Sequence, residues 1–144
     1  MQITQIEVYQ FPVRLKKPFV ISLGAFNYAE NIIVVVRTDE GLTGFGECSP
    51  FMSINGESMD TGYVVARYLS KSLIGRNPLE IEDCSEIMDR TIYGNSSIKS
   101  AFDIALHDIA AQSAGLPLYA FLGGQNTKVL KTDYTVSLND PDQM

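Results

Sequence analysis

The chain is 144 residues long, the size of one ordinary domain able to bury roughly two-thirds of its unfolded surface. Its 45% apolar residues supply a core, and 19% charged residues exclude a disordered chain. Eleven Lys and Arg against seventeen Asp and Glu leave a net charge of -6. A phosphate backbone is repelled by that charge, and the scattered Arg14, Lys16, Lys17, Lys71, Lys128 and Lys131 form no basic stripe, so nucleic acid is excluded as a partner.

The opening MQITQIEVYQF alternates apolar and polar residues and reads as a strand rather than a secretory leader. It continues to residue 15 through Ile3, Ile6, Val8, Phe11 and Val13, and Pro12 predicts an edge position or a bulge. KKPFVISLGAFNYAEN follows as a loop with turn chemistry at Gly24 and Asn27. Residues 32–38, IIVVVRT, are β-branched and read as a central strand. DEG at 39–41 is a short turn, and LTGFGECSPF at 42–51 is a third strand, so the second and third strands pair antiparallel.

Beyond the irregular SPFMSINGES the apolar period changes from 2 to 3.6. Ser58 caps a first helix carrying Val65, Tyr68, Leu69 and Leu73, which ends at Gly75. Asn77-Pro78 starts a second, with Cys84, Ile87, Met88 and Ile92 as its stripe and Gly94 as its end. Ser96 caps the third and longest, SIKSAFDIALHDIAAQSAG, whose stripe is Ile98, Phe102, Ala105 and Ile109 and whose stop is Gly115. LPLYAFLGG then leads to a last strand, Lys128 to Leu138, and Asp140-Pro141-Asp142-Gln143 reads as the first turn of a further helix. Strands followed by helices point to an α+β fold rather than a doubly wound sheet. No apolar run is long enough to span a membrane, and Cys48 and Cys84, far apart with no C-x-x-C, suit reduced thiols in a cytoplasm.

Catalytic patterns are scarce. Gly44-Phe45-Gly46 fails as a dinucleotide fingerprint because Ser49 stands where the third glycine belongs, which leaves close packing as the reason for the glycines. Lys99, Asp103 and His107 form an i, i+4 ladder typical of a solvated helix face, with Asp108 beside it, and no nucleophile motif accompanies them. Glu47 reads as a polar group at a sheet edge. With two cysteines and His107 alone, a structural zinc site is excluded. The segments ISLGAFN and PFMSINGE are apolar for loops, with Phe19, Ile21, Leu23 and Phe26 at the first and Phe51, Met52 and Ile54 in the second. They leave neighbouring strands at one end of the sheet and read together as walls of a pocket that something else covers.

GFGECSP, SAFDIALHDIAAQSAGLPLYAFLGG and TDYTVS, in this order and spacing, resemble the amino-terminal part of the mandelate racemase/muconate lactonizing branch of the enolase superfamily. Within it, dipeptide epimerases of the Ala-Glu type look nearest, and the resemblance covers the whole chain. It implies an α+β capping domain over residues 1–124, a three-stranded antiparallel sheet followed by a helical bundle, and the start of a (β/α)8 barrel over 125–144. A full barrel takes about 250 residues, so the expectation is that the rest lies beyond Met144.

The implied chemistry is removal and return of the proton α to a carboxylate, with Mg²⁺ holding the enediolate and lysines as the acid–base groups. Those lysines and the metal carboxylates belong to later barrel strands. The resemblance therefore implies no catalytic residue and no metal ligand in this chain, which by itself is expected to be inactive. Lys128 and Lys131 lack the K-x-K spacing of the family's lysines.

What carries over is substrate contact: Thr135 at the mouth of the first barrel strand, and Phe19, Phe51 and Ile54 in two capping loops that set specificity. Gly24 stands where the Ala-Glu enzymes carry an arginine for the acidic side chain, a contact worth about 1.5–3 kcal/mol. Its loss implies a dipeptide with a small or apolar second residue. The expected partners are a small-molecule dipeptide, Mg²⁺ and, in the full-length enzyme, further copies of the same chain; neither nucleic acid nor membrane is expected. Two other readings stay open. One is a muconate cycloisomerase or o-succinylbenzoate synthase on the same scaffold; the other is a self-contained, non-catalytic binding module.

Overall fold

The computed structural model describes residues 1–127, 129–133 and 135–143. Three strands, β1 (Ile3–Ile21), β2 (Gly24–Thr38) and β3 (Thr43–Cys48), form an antiparallel sheet in the order β1-β2-β3. Among the described residues five α-helices follow: α1 (Met52–Asn55), α2 (Met59–Leu73), α3 (Ile81–Thr91), α4 (Ser96–Ser113) and α5 (Leu118–Phe121). This is the expected α+β order. No helix among the described residues is long and apolar enough to cross a membrane.

The core lies between one face of the sheet and α2, α3 and α4. Ile32, Val34 and Val36 alternate inward from β2 and are fully buried. They meet Leu69 and Leu73 of α2, Cys84 and Met88 of α3, and Ile98, Phe102, Leu106 and Ile109 of α4. The α4 stripe is the expected one. In α2 the buried residues are Gly62, Val65, Ala66, Leu69 and Leu73, whereas Tyr68, placed on the stripe by its spacing, is exposed. Gly44 and Gly46 let α4 settle on β3: a Cβ on Gly46 would run into the carbonyl of Ala101, and one on Gly44 into that of Ala105. Close packing is thus the use of that pair.

The structure corrects four further expectations. Residues 16–31 are not a loop: β1 and β2 run on as one long hairpin, pairing Phe19 with Phe26 and Ile21 with Gly24, and Asn27 lies within β2. The alternation is hidden because β1 advances five residues from Arg14 to Phe19 while β2 retreats only two, from Tyr28 to Phe26. Lys16, Lys17 and Pro18 occupy that irregularity, where a proline without an N–H costs no ladder bond.

The second helix begins not at Asn77-Pro78 but at Ile81. The Asn77 side chain accepts from Leu79 N (3.2 Å) and its carbonyl from Glu80 N (3.2 Å), so the pair makes a separate turn ahead of the helix.

Ser96 is the first residue of α4 rather than its cap; Asn95 holds the cap position in a left-handed conformation (φ 57°) without capping through its side chain.

Finally, the strand expected from Lys128 to Leu138 forms no ladder among its described residues, Lys128 and Tyr134 lying outside them. A parallel barrel strand draws its hydrogen bonds from parallel neighbours, and none is among the described residues. Its end is tied to β1 instead, Leu138 N donating to Val20 O at 2.8 Å. Pro141–Gln143 then forms a single tight 3₁₀ turn where the next helix was expected to begin.

Candidate functional site

At the far end of the hairpin a concavity of about 1430 Å³ opens between three segments. The end of β1 and start of β2 give one wall, with Phe19, Phe26 and Tyr28. The stretch after β3 gives the second, with Phe51 and Met52, and Thr135 to Asn139 close the third side. The two aromatic walls touch: Phe26 and Phe51 have ring centroids 4.9 Å apart at an interplanar angle of 55°.

Local chemistry explains how each wall is held. The hairpin turns at Ser22-Leu23, and Gly24 begins β2 at φ 137°, a conformation that L side chains rarely adopt. The second wall folds back on Asn55, whose Oδ1 accepts from Phe51 N (3.2 Å) and Glu57 N (3.1 Å). That fold-back makes the single turn of α1 where the sequence reads as irregular. Immediately after it, Ser58 caps α2 in a reciprocal box with Thr61. The third segment is latched by Ser137: Val20 N donates to its Oγ at 2.8 Å, beside the Leu138–Val20 backbone bond.

Thr135, Phe19 and Phe51 are therefore brought together around one concavity. Gly24 and Ile54 are not among its lining residues. Gly24 sits at the hairpin tip, and Ile54 projects to solvent from α1, 73% exposed. Tyr28 lines the concavity unforeseen, because the segment it belongs to reads as a loop in the sequence, and Leu15 does so from the end of the stretch read as the first strand. Nothing in the sequence marks Ser137 either, since its role depends on which strand end it meets.

The remaining candidates lie elsewhere. His107 Nδ1 is 2.9 Å from the Asp103 carbonyl and 3.4 Å from Asp103 Oδ1. Lys99 does not extend that ladder; its ammonium donates to Asp89 Oδ1 (2.8 Å) and to the Ile92 carbonyl (2.7 Å), joining α3 to α4. Asp108 accepts from Phe45 N (3.0 Å) and thereby covers the open edge of β3. Glu47 accepts from the Asn31 side-chain amide across the sheet, the polar sheet role its position predicts. Lys131 is exposed, and Lys128 lies outside the described residues. Among the described residues no three of His, Cys, Asp and Glu come together as metal ligands. Cys48 and Cys84 are buried free thiols. Burial pushes both up to about 11, with the Glu57 carboxylate adding to the effect at Cys48 and Asp83 at Cys84.

The concavity is large enough to receive a small molecule; besides its aromatic walls it is lined by the hydroxyl-bearing Tyr28, Ser49, Ser53, Ser58, Thr135 and Ser137 and by the charged Lys16, Lys17 and Glu30. Residues 4–123 match the family described as mandelate racemase / muconate lactonizing enzyme, N-terminal domain. Over all 144 residues the chain is 60% identical to a D-Ala-D/L-Ala epimerase of Cytophaga hutchinsonii, of which it covers 39%. The crystal structure of a dipeptide epimerase from that organism, complexed with Mg and D-Ala-L-Val, superposes with a TM-score of 0.96 and 59% identity, over 99% of this chain and 39% of that one. A dipeptide epimerase from Enterococcus faecalis complexed with Mg and L-Leu-L-Tyr superposes at 0.92 with 38% identity, over 98% of this chain and 40% of its own. The chain thus spans about two-fifths of the length of these relatives.

Proposed function

The chain belongs to the mandelate racemase / muconate lactonizing enzyme family through its N-terminal domain, and from that premise we propose that it is the specificity-bearing part of a dipeptide epimerase. Residues 1–124 act as the capping domain and 125–144 begin a (β/α)8 barrel whose remainder carries the acid–base lysines. The substrate is a dipeptide whose α-proton beside the terminal carboxylate is removed and returned. The observation that carries this reading is the joining of Thr135 to the Phe19 and Phe51 walls around one concavity.

The chain's own residues bind and orient; the proton is moved by groups beyond them. The touching Phe26 and Phe51 rings give an apolar surface that favours a small or apolar second residue. Gly24, at the hairpin tip, offers no cation to a glutamate side chain, and the cations that line the concavity are Lys16 and Lys17. The Thr135 hydroxyl can donate to or accept from the peptide unit of the substrate. Mg²⁺, present in both superposed relatives, would stabilise negative charge on the substrate carboxylate from ligands outside this chain. The described residues offer it no cluster. The two buried free thiols suit a reducing cytoplasm, and the barrel-bearing protein is proposed to form homo-oligomers.

The test is steady-state epimerisation by the barrel-bearing protein, comparing Ala-Ala with Ala-Glu. A higher kcat/KM for Ala-Ala supports the reading. Preference for Ala-Glu overturns the substrate assignment, and cycloisomerisation in place of epimerisation overturns the reaction.

A further inference from the structure

We infer that Glu57 is a positioning residue for the Phe51 wall: by capping α4 from a distance, its carboxylate sets where that wall stands in the concavity. The inference rests on the proposal that the concavity receives the substrate.

A helix begins with N–H groups that lack partners, and a cap residue in extended conformation normally turns its side chain onto the second or third of them. Asn95 cannot do so, because its left-handed backbone sends its amide to the Tyr93 carbonyl instead, at 2.9 Å. The second and third residues of α4 therefore take their partner from 40 residues away. Ser97 N donates to Glu57 Oε1 at 3.0 Å and Ile98 N to Glu57 Oε2 at 3.3 Å. Glu57 is only 5% exposed. A buried carboxylate is tolerable there because two N–H groups and the positive end of the helix both favour its charge.

The same turn of α4 holds the neighbouring residue of the loop. Asn55 donates to Ser97 Oγ at 2.6 Å, while its Oδ1 collects Phe51 N and Glu57 N. Phe51 through Glu57 is thus closed upon itself and tied to α4 at two points. α4 in turn is seated on β3 with no room for a side chain at Gly46. The line of contacts runs from the sheet through α4 and Glu57 to Phe51, and across to Phe26. Neither Glu57 nor Asn55 lines the concavity. Their substitution would move the wall without deleting any group that touches the ligand.

Amide hydrogen exchange on the 144-residue chain tests this in Glu57→Gln, Glu57→Ala and Asn55→Ala. Glu57→Ala should speed exchange at Ser97, Ile98 and across residues 51–57 by on the order of tenfold, with α3 changing far less. Glu57→Gln, which keeps one acceptor oxygen, should fall between. Asn55→Ala leaves the carboxylate cap in place and should free 51–57 while Ile98 stays protected, so a fold lost with the cap still leaves a readable variant. In the barrel-bearing protein the same variants should narrow the spread of kcat/KM among dipeptides differing in the second residue, chiefly through KM. Acceleration spread evenly over all helices, or protection at 51–57 unchanged in Glu57→Ala and Glu57→Gln while Ser97 and Ile98 open, would overturn the inference and mark Glu57 as a cap alone. Absence of any dipeptide turnover in the wild type would sink the functional reading, and the exchange pattern would still decide the role of Glu57.

Discussion

Phe26 on β2 and Phe51 beyond β3 lie tilted against each other, 4.9 Å between ring centroids, and join the wall built on the β1–β2 hairpin to the one that follows β3. A contact of this geometry contributes about 0.5–1.5 kcal/mol beyond the area it buries. A double-mutant cycle with Phe26→Ala and Phe51→Ala, followed by urea unfolding, should return a coupling of about that size. Strictly additive effects would mean that the walls are held independently.

Gly46 should not tolerate a methyl group. An added Cβ meets backbone, the Ala101 carbonyl and then Ala105 N, rather than a side chain able to swing aside. Gly46→Ala is therefore expected to lift α4 from β3 and to cost at least about 1–3 kcal/mol, the usual range for overpacking. Gly115→Ala is the comparison, since nothing lies within 4 Å of its Cβ and only its φ of 66° is strained. Thermal unfolding should show the larger loss for Gly46→Ala; equal losses would count against the packing argument.

The α4 stripe was legible in the sequence through its apolar period, and β2 through its β-branched run. The hairpin's outer half was not, because the irregularity at Lys16-Lys17-Pro18 breaks the alternation just where it would have been read. The concavity was half legible. Phe19 and Phe51 stand out because they fall in apolar segments read as loops, whereas Glu57 and Ser137 act on backbone groups 40 and 117 residues away, respectively. No local pattern reports such partners. Ser96 was misread for the same reason: a serine before a helix looks like a cap until a distant carboxylate takes the N–H groups.

That misreading yields a sharp comparison. Ser58 forms the reciprocal box with Thr61 that starts α2, while the Ser96 side chain caps nothing. Ser58→Ala should lower stability by about 1 kcal/mol. Ser96→Ala should stay within about 0.5 kcal/mol of the wild type. Urea midpoints at unchanged slope would measure both, and the reverse order would contradict the observed capping.

The proposed division of labour predicts that the 144-residue chain is inert by itself. Incubated with Ala-Ala in deuterated water and Mg²⁺, it should incorporate no deuterium at the α-carbon, and calorimetric titration with Mg²⁺ should show no tight site. The described residues bring no three potential ligands together. Turnover by the chain alone would move catalysis into the capping region and overturn the assignment.

The buried thiols give the fold an alkaline limit. Cys48 and Cys84 ionise near 9.0 when exposed and are pushed up to about 11 in the folded protein, first by burial and then by nearby carboxylates. The folded state favours the neutral thiol, so between these values the unfolded chain binds fewer protons than the folded one. Stability from this source is complete below about 9 and falls as the pH rises toward about 11. The slope is to be compared with that of Cys48→Ala/Cys84→Ala, which isolates the contribution of the thiols. The double variant starts less stable, having lost two buried side chains, but should lose less further stability across the alkaline window. Parallel pH slopes for the two proteins would show that the thiols do not set the limit. A thiol reagent should likewise react with both cysteines in urea and with neither in the folded protein, because the thiolate is the reactive form and burial denies it.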